Sequence, residues 1–258
     1  MHLDILDLRA FYASPLGGVT RRIIAQKVRA MWPRAGGETL IGLGFATPFL
    51  GSYRGEVRRL GALMPSTQGA MVWPTTGAVS TVMVEEARLP LPDNSVEKLL
   101  AVHCLELSEQ ARPLLREMWR VLAPEGQLLL IVPNRHGVWS RREATPFGHG
   151  QPYSRAQLER LLQDVMFTPT EWSTALHALP LSNRLTVRWA PALERFGARL
   201  WPRFAGVIMV EARKELTAPI AAGAAARQAP RLATAEGVVA HRAPSVENVG
   251  EGNAADAK

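Results

Sequence analysis

The chain has one cysteine, Cys104, among 258 residues, so no disulfide can form within it and no cysteine cluster can hold a metal. Its six histidines are scattered and form no pair at metal-ligand spacing, so no metal site is expected. No apolar run approaches the roughly 20 residues of a membrane span. The N-terminus MHLDILDLRAFY has acids where a secretory signal carries basic residues. These absences predict a cytoplasmic protein without a transmembrane segment.

The composition suits one domain with a substantial core, together with appendages, since 47% of the residues are hydrophobic. The net charge of +7 permits phosphorylated metabolites, nucleic acid or acidic lipid as partners. It does not choose among them, and an arginine-rich solvated surface is the ordinary alternative. No motif specific for nucleic acid accompanies the charge.

Three segments differ in composition. Residues 1–37 predict an N-terminal helical segment, with a helix from Leu16 to Trp32 after a turn at Ser14-Pro15. Residues 38–215 hold the strand and helix patterns of a domain. Residues 216–258 are rich in Ala, Pro and Gly and lack aromatic residues, which predicts a disordered tail because such a segment has little to bury.

The centre of the domain is a strand–helix–strand unit. Val96 to Leu105 and Gln127 to Val132 are almost continuously apolar, as strands buried on both faces of a parallel sheet are. The helix between them is indicated by apolar residues at helical spacing, and Pro124 and Gly126 are expected to end it. These apolar residues are Leu114, Leu115, Met118, Val121 and Leu122. The unit predicts parallel strands with helices on both faces.

Five further strands complete the predicted sheet. They are Glu38–Phe45, Glu56–Leu63, Ser80–Val84, Phe167–Leu176 and Phe204–Arg213. Ser154 is predicted to cap a helix. Another helix is predicted to begin near Ala190-Pro191. Arginines lie beside tryptophans in and around it. These arginines and tryptophans are Arg188, Arg195, Arg199, Arg203, Trp189 and Trp201. Such a helix either packs on the sheet or lies on an anionic membrane surface as a peripheral contact.

The segments LPLPDNSVEKLLAVHCLEL and REMWRVLAPEGQLLLIVPN carry a family resemblance. In order and spacing they resemble the central half of class I S-adenosylmethionine-dependent methyltransferases of the small-molecule type, called methyltransferase type 11. The similarity extends more weakly over residues 40–214. It implies an α/β Rossmann-like three-layer sandwich with a mostly parallel seven-stranded sheet and an antiparallel last strand. It also implies S-adenosylmethionine as cofactor and a small-molecule acceptor.

The family's glycine-rich cofactor turn corresponds to IGLGFAT. Gly42 and Gly44 allow a ligand to approach the backbone closely, and Ala46 stands in place of the second glycine. Gly42 also stands where the family has an acid. A second acid, at the end of the second strand, is missing too, because Leu63, Met64 and Pro65 stand there. The same absence disfavours a nicotinamide cofactor, whose ribose needs an acid there.

The resemblance implies further site residues. Glu85 aligns with the acid that contacts the adenine amine, and Glu86 with a residue beside the adenine ring. His103 lies near the transferred methyl group, where it would orient a substrate or act as general base. Each could instead be an ordinary structural residue, and Glu106 is expected to cap the next helix. The loop candidates for substrate contact are Trp139, His149 and Tyr153.

Two functional hypotheses follow. The first is an S-adenosylmethionine-dependent methyltransferase that acts on a small molecule. The second, prompted by Gly42 and Met64, is a methyltransferase-like protein that has lost the cofactor and turnover, and that serves as a binding or regulatory partner of another protein. The first requires space for a sulfonium nucleotide above the carboxyl edge of the sheet. Bulky side chains of the Gly44 turn or of Met64 in that space would count against it.

Overall fold

The computed structural model describes residues 3–35, 38–181 and 184–215. The predicted tail, residues 216–258, lies outside them. The described residues form one compact unit. Within the described part of the chain, no helix is long and apolar enough to cross a membrane.

Six helices and seven strands are named here in chain order. The helices are α1 (Ile5–Ala13), α2 (Pro15–Met31), α3 (Thr47–Leu50), α4 (Ala111–Val121), α5 (Arg155–Gln163) and α6 (Arg184–Leu200). The strands are β1 (Thr39–Gly44), β2 (Arg59–Pro65), β3 (Thr81–Val84), β4 (Val96–Val102), β5 (Leu122–Pro133), β6 (Phe167–Ala175) and β7 (Val207–Lys214).

The strands form one seven-stranded sheet in the order β3-β2-β1-β4-β5-β7-β6. Neighbouring strands from β3 to β5 are parallel, and β7 is antiparallel to both β5 and β6. This confirms the predicted Rossmann-like sheet with an antiparallel last strand. The strand order reverses between β1 and β4, where open α/β sheets bind ligands at the carboxyl edge.

Side chains of the central strands alternate between two apolar layers. On one side, Leu40 and Leu100 pack with α1 and α2. On the other side, Leu99 and Ala101 pack with α4 and α5. α6 contacts α2 and β6, which places it in the α1–α2 layer. The sheet therefore has helices on both faces, as the strand–helix–strand unit predicted.

The α4–α5 layer follows the sequence pattern closely. Ser154 caps α5, and the Gln157 side chain bonds back to the Ser154 amide, which completes a capping box. α4 ends at Val121, three residues before Pro124. The prediction that Pro124 and Gly126 end this helix is wrong, because both residues lie inside β5, which starts at Leu122.

The α1–α2–α6 layer departs more from the prediction. The predicted N-terminal helix is α2, capped by Ser14. A separate helix, α1, was not predicted; Asp4 caps it, and the Asp4 carboxylate accepts from the amides of Leu6 and Asp7. α6 also begins earlier than predicted, at Arg184.

Candidate functional site

Three buried polar side chains meet at the carboxyl end of β4. The Tyr12 hydroxyl lies 2.9 Å from Nε2 of His103, and His103 Nδ1 lies 3.2 Å from Oε1 of Glu106. These side chains come from α1 and from the turn after β4, and each residue is at most 6% exposed. An imidazole held between a carboxylate and a hydroxyl is an oriented acid–base group.

The backbone at His103 is strained. Its φ is +49°, in the left-handed region, which costs a non-glycine residue about 1–2 kcal/mol. The Gln68 side chain, from the loop after β2, donates a hydrogen bond to the His103 carbonyl oxygen. Because the strand order places β1 between β2 and β4, this side chain spans the carboxyl edge of β1.

Burial and the Glu106 carboxylate shift the titration of neighbouring groups. Burial, followed by the charge of Glu106, raises the pKa of Tyr12 well above its ordinary value. The same two causes raise the pKa of Tyr153 to about 12. Burial, then the charges of Glu86 and Glu106, raises the pKa of the Cys104 thiol. Both phenols and the thiol therefore stay protonated at neutral pH.

Aromatic rings surround this polar centre. The Tyr12 ring stacks on Phe45 at 5.5 Å between centroids and meets Phe49 edge-on at 5.9 Å. The Phe147 ring lies 4.9 Å from the His103 ring. Along α1, the Ile5 amide donates to the Gln68 carbonyl oxygen at 2.8 Å. α1 thus covers the carboxyl edge of the sheet.

The two predicted glycines are enclosed by protein atoms. Gly44 has φ +75°, and a Cβ there would lie 2.3 Å from the Val102 carbonyl oxygen. A Cβ on Gly42 would lie 2.7 Å from Cδ1 of Leu50, so the family's acid has no room at this position. The Phe45 amide donates to the Val102 carbonyl oxygen at 2.8 Å. The packing of β1 against β4 therefore already requires glycine at position 44.

The other candidate cofactor residues lie on both sides of this turn. Ala46 and Met64 are fully buried, and the Met64 sulfur accepts from the Met71 amide at 3.2 Å. Glu85 is exposed, while Glu86 accepts from the Thr67 hydroxyl at 3.1 Å. The structure therefore brings His103 and the Gly44 turn together at one edge and leaves Glu85 facing solvent.

The three candidate substrate residues do not share one cavity. Trp139 is buried and donates to the Ala178 carbonyl oxygen at 2.8 Å. His149 lines a cavity of about 530 Å³ between α1 and residues 143–149, together with Asp7 and Phe11. Tyr153 lines a different cavity, of about 620 Å³, beside α4 and α5. Of the three, His149 is the one in a cavity next to α1.

The site suits the implied cofactor in its polar groups but lacks space for it. Oε2 of Glu106 and Oε1 of Gln68 are buried acceptors without a hydrogen-bond partner among the described residues, and a ligand with ammonium or hydroxyl donors would satisfy them. However, Phe45 and Met64 are at most 2% exposed, and Tyr12 packs on Phe45 beside His103. With α1 in this position, the space beside His103 is filled.

Most of this polar centre was not predicted from the sequence. The expectation that Glu106 caps the following helix is wrong, since Glu106 bonds to His103 and α4 has Gln110 at its N-cap position. Tyr12 and Gln68 were not identified, because each is distant in sequence from His103. The one local signal was the spacing of three residues between His103 and Glu106, which places both on the same turn.

Comparisons with known proteins agree with this architecture. Residues 41–130 match the model of a methyltransferase domain family. A comparison with curated protein sequences found no match. Among solved structures, one neighbour is the complex between the Haloferax volcanii Trm112 methyltransferase activator and a candidate methyltransferase, at 18% identity and a TM-score of 0.60. That match covers 81% of this chain and 98% of the other.

Two further neighbours show how broadly the fold is used. A SAM-dependent methyltransferase from Thermotoga maritima matches at 14% identity and a TM-score of 0.57, covering 82% of this chain and 96% of that one. The [4+2]-cyclase SpnF matches at 20% identity and a TM-score of 0.53, covering 76% and 81%. At these identities the likeness establishes a shared fold.

Proposed function

We propose that the chain is an S-adenosylmethionine-dependent methyltransferase that acts on a small molecule, a proposal supported by the match of residues 41–130 to the model of a methyltransferase domain family. The site lies at the carboxyl edge of β1 and β4, under α1. Cofactor and acceptor reach it when α1 moves away from His103.

The observation that carries this proposal is the buried Tyr12–His103–Glu106 group. Burying ionisable side chains costs free energy unless each polar atom is paired, and here Oε2 of Glu106 has no partner among the described residues. A scaffold that served packing alone would be more stable with apolar side chains in this place. A strained histidine held beside such a carboxylate is typical of a functional site.

The chain's own groups have separate roles in this proposal. The exposed Glu85 carboxylate would accept a hydrogen bond from the adenine amine, whereas Gly42 and Gly44 serve the packing of β1. A bound cofactor would supply an electrophilic methyl group and would leave as S-adenosylhomocysteine, so the protein would mainly have to orient the acceptor. His103, oriented by Glu106, accepts the acceptor's proton at Nε2, the atom that faces the Tyr12 hydroxyl in the covered state. The acceptor approaches through the cavity lined by His149.

Calorimetric titration with S-adenosylmethionine and S-adenosylhomocysteine tests the proposal. The Tyr12→Ala variant removes the ring that fills the space and is expected to bind at least about tenfold more tightly than the wild type, since less packing must be broken. Tyr12→Phe is the matched control, because it keeps the ring and loses only the hydroxyl. Glu85→Ala should weaken binding, whereas Glu109→Ala, another exposed acid, should not.

A second candidate function is favoured by one specific observation, the filled space beside Phe45 and Met64. In this candidate, α1 is a permanent cover, and the methyltransferase-like domain is a binding or regulatory partner of another protein without turnover. The Haloferax volcanii neighbour, a complex of a methyltransferase with an activator protein, supports the idea that this fold is used in protein complexes.

The titration separates the two candidates. No heat of binding at millimolar ligand with the wild type and with Tyr12→Ala would exclude the enzyme and leave the partner hypothesis. Binding by Tyr12→Ala alone would identify α1 as the barrier. If the cofactor binds, loss of methyl transfer to an extract of small molecules in His103→Gln, with binding retained, would assign the base.

A further inference from the structure

A second unusual surface lies on α6, in the same layer as α1 and α2. Four of its apolar side chains point into solvent with exposures between 38% and 68%: Trp189, Leu193, Phe196 and Leu200. Their spacing of three or four residues places them on one helical face. Trp201 and Phe204, just after the helix, are exposed as well, at 42% and 57%. This apolar face is called the α6 stripe below.

Contacts on the buried side of α6, next to this stripe, fix the orientation of the helix. The Glu194 carboxylate accepts from the amides of Leu176 and His177, at 2.9 and 2.7 Å, and from Nδ1 of His177 at 3.0 Å. Gly197 is buried, and a Cβ there would lie 2.4 Å from Cβ of His177. The helix therefore cannot rotate to bury the α6 stripe without breaking these bonds.

Cations border the stripe. α2 and α6 enclose an open groove of about 1370 Å³, with Val19 and Ile23 among its apolar lining residues. One charged residue of the groove lining is acidic, Glu194, and its oxygens already accept the three hydrogen bonds described above. The other charged lining residues are basic: Arg22, Lys27, Arg195 and Arg199. Arg203 is exposed beside Phe204. None of these five cations takes part in an ion pair within the described part of the chain.

We propose that the α6 stripe and the basic groove form a surface that docks on an anionic lipid bilayer. A helix with Trp, Phe and Leu on one face and arginines beside them lies in the membrane interface, with its apolar face among the acyl chains and its cations at the headgroups. The bilayer supplies both the negative charge and the apolar phase that this surface lacks in water.

Two other candidate occupants of this surface, a second copy of the chain and the tail, match its positive charge less well. A second copy of this chain would bring the same basic residues against one another, and like charges facing each other are unfavourable. The tail, residues 216–258, has no aromatic residue, and its four basic residues are balanced by four acidic ones. The basic residues are Arg227, Arg231, Arg242 and Lys258, and the acidic residues are Glu236, Glu247, Glu251 and Asp256. It therefore offers the groove neither net negative charge nor aromatic side chains.

Vesicle flotation with the full chain tests the proposal. The probe is vesicles of equal parts phosphatidylcholine and phosphatidylglycerol, compared with vesicles of phosphatidylcholine alone. The wild type should float with the anionic vesicles and remain behind with the neutral ones. Raising the salt concentration should release it, because screening shortens the reach of surface charge to about 10 Å at 0.1 M.

Two pairs of substitutions separate charge from apolar insertion. Arg195→Glu with Arg199→Glu should weaken partitioning by about thirtyfold or more, since each basic residue near an anionic surface contributes to binding. Phe196→Ser with Leu200→Ser should weaken it about tenfold or more, through lost apolar burial. The matched controls are exposed residues elsewhere, Arg116→Glu with Arg160→Glu and Val82→Ser with Met83→Ser, and these should bind as the wild type does.

Several outcomes would overturn the proposal. They are absence of the wild type from anionic vesicles, equal binding to neutral vesicles, and equal losses in the control pairs. Binding of an acidic amphipathic protein to this surface in the absence of any vesicle binding would also reject the lipid occupant. All substituted side chains are exposed, so circular dichroism should show unchanged folding.

Discussion

Both helical layers bury an apolar core, but they differ in how many exceptions they make to burying apolar and exposing polar side chains. In the α4–α5 layer, apolar side chains such as Leu115 and Leu158 are fully buried, and charged residues such as Arg116 face solvent. On the side of the α1–α2–α6 layer, the turn after β4 buries His103 and Glu106, while Phe196 and Leu200 of α6 are exposed. Buried polar groups and exposed apolar faces are the informative exceptions in folded proteins. The first layer therefore supports the sheet, and the second carries the candidate functions.

The largest expected contrast comes from the same substitution in each layer. Leu115→Ala should lower the free energy of unfolding by about 3 kcal/mol, because it leaves a cavity in a packed core. Leu200→Ala, at a site that is 68% exposed, should change it by less than about 0.5 kcal/mol. Urea unfolding measures both. Equal losses would mean that the α6 stripe is buried and would remove the contrast between the layers.

A smaller effect is expected where the polar centre is held together. Gln68→Ala removes the donor to the His103 carbonyl oxygen and should cost about 1–3 kcal/mol, the usual loss when a buried group is left unsatisfied. Hydrogen exchange of the α1 amides should become faster, because α1 is anchored to this loop through Ile5. Unchanged hydrogen exchange in α1 would show that the loop containing Gln68 does not hold α1 over the carboxyl edge of the sheet.

The α4–α5 layer also permits a prediction of pH dependence. Hydrogen bonds from Arg120 are the main cause that lowers the pKa of Glu117 below its ordinary 4.5, and the Leu89 amide adds to this. A lowered folded-state pKa stabilises the fold above the unfolded pKa, and this stability is lost as pH falls through the folded pKa. Glu117→Gln should therefore cost about 1 kcal/mol at pH 7.

The difference between Glu117→Gln and the wild type should shrink below pH 4.5, as urea titrations at several pH values would reveal. Glu109→Gln is a suitable control for the loss of a carboxylate, because Glu109 is exposed. Gln127→Glu is unsuitable as a control, because Gln127 bonds to Glu211. If the difference in free energy of unfolding stays constant with pH, the destabilisation comes from altered packing and not from the lost charge.

The smallest effect is expected at the surface. Arg112 pairs with Asp164 at 2.8 Å, but the two side chains are 62% and 49% exposed. Arg112→Ala should therefore change the free energy of unfolding by less than about 1 kcal/mol, and it should leave vesicle binding unaltered. A loss of vesicle binding in this variant would extend the basic docking surface to the α4–α5 layer and blur the contrast.

Local patterns in the sequence were enough to predict β4, β5 and the helices of the layer that supports them, whereas the family resemblance supplied the seven-stranded sheet with its antiparallel last strand. The apolar runs of β4 and β5, the helical spacing of Leu114 and Met118, and the Ser154 cap each depend on residues close together in the chain. Their physical basis is the periodicity of helices and strands, which the order of residues fixes directly. His103 could be placed at the carboxyl edge for the same reason, because it lies near the end of the strand predicted from Val96 to Leu105.

Tertiary structure alone decided what surrounds that histidine and which face of α6 meets solvent. The Tyr12 hydroxyl is 91 positions from His103 in the chain, and Gln68 is 35 positions away, so no local pattern relates them. For α6 the sequence allowed packing on the sheet or contact with a membrane, and the bonds of Glu194 with His177 selected the face that stays exposed. Contacts between distant segments depend on how whole elements pack, and that is set by the complete core.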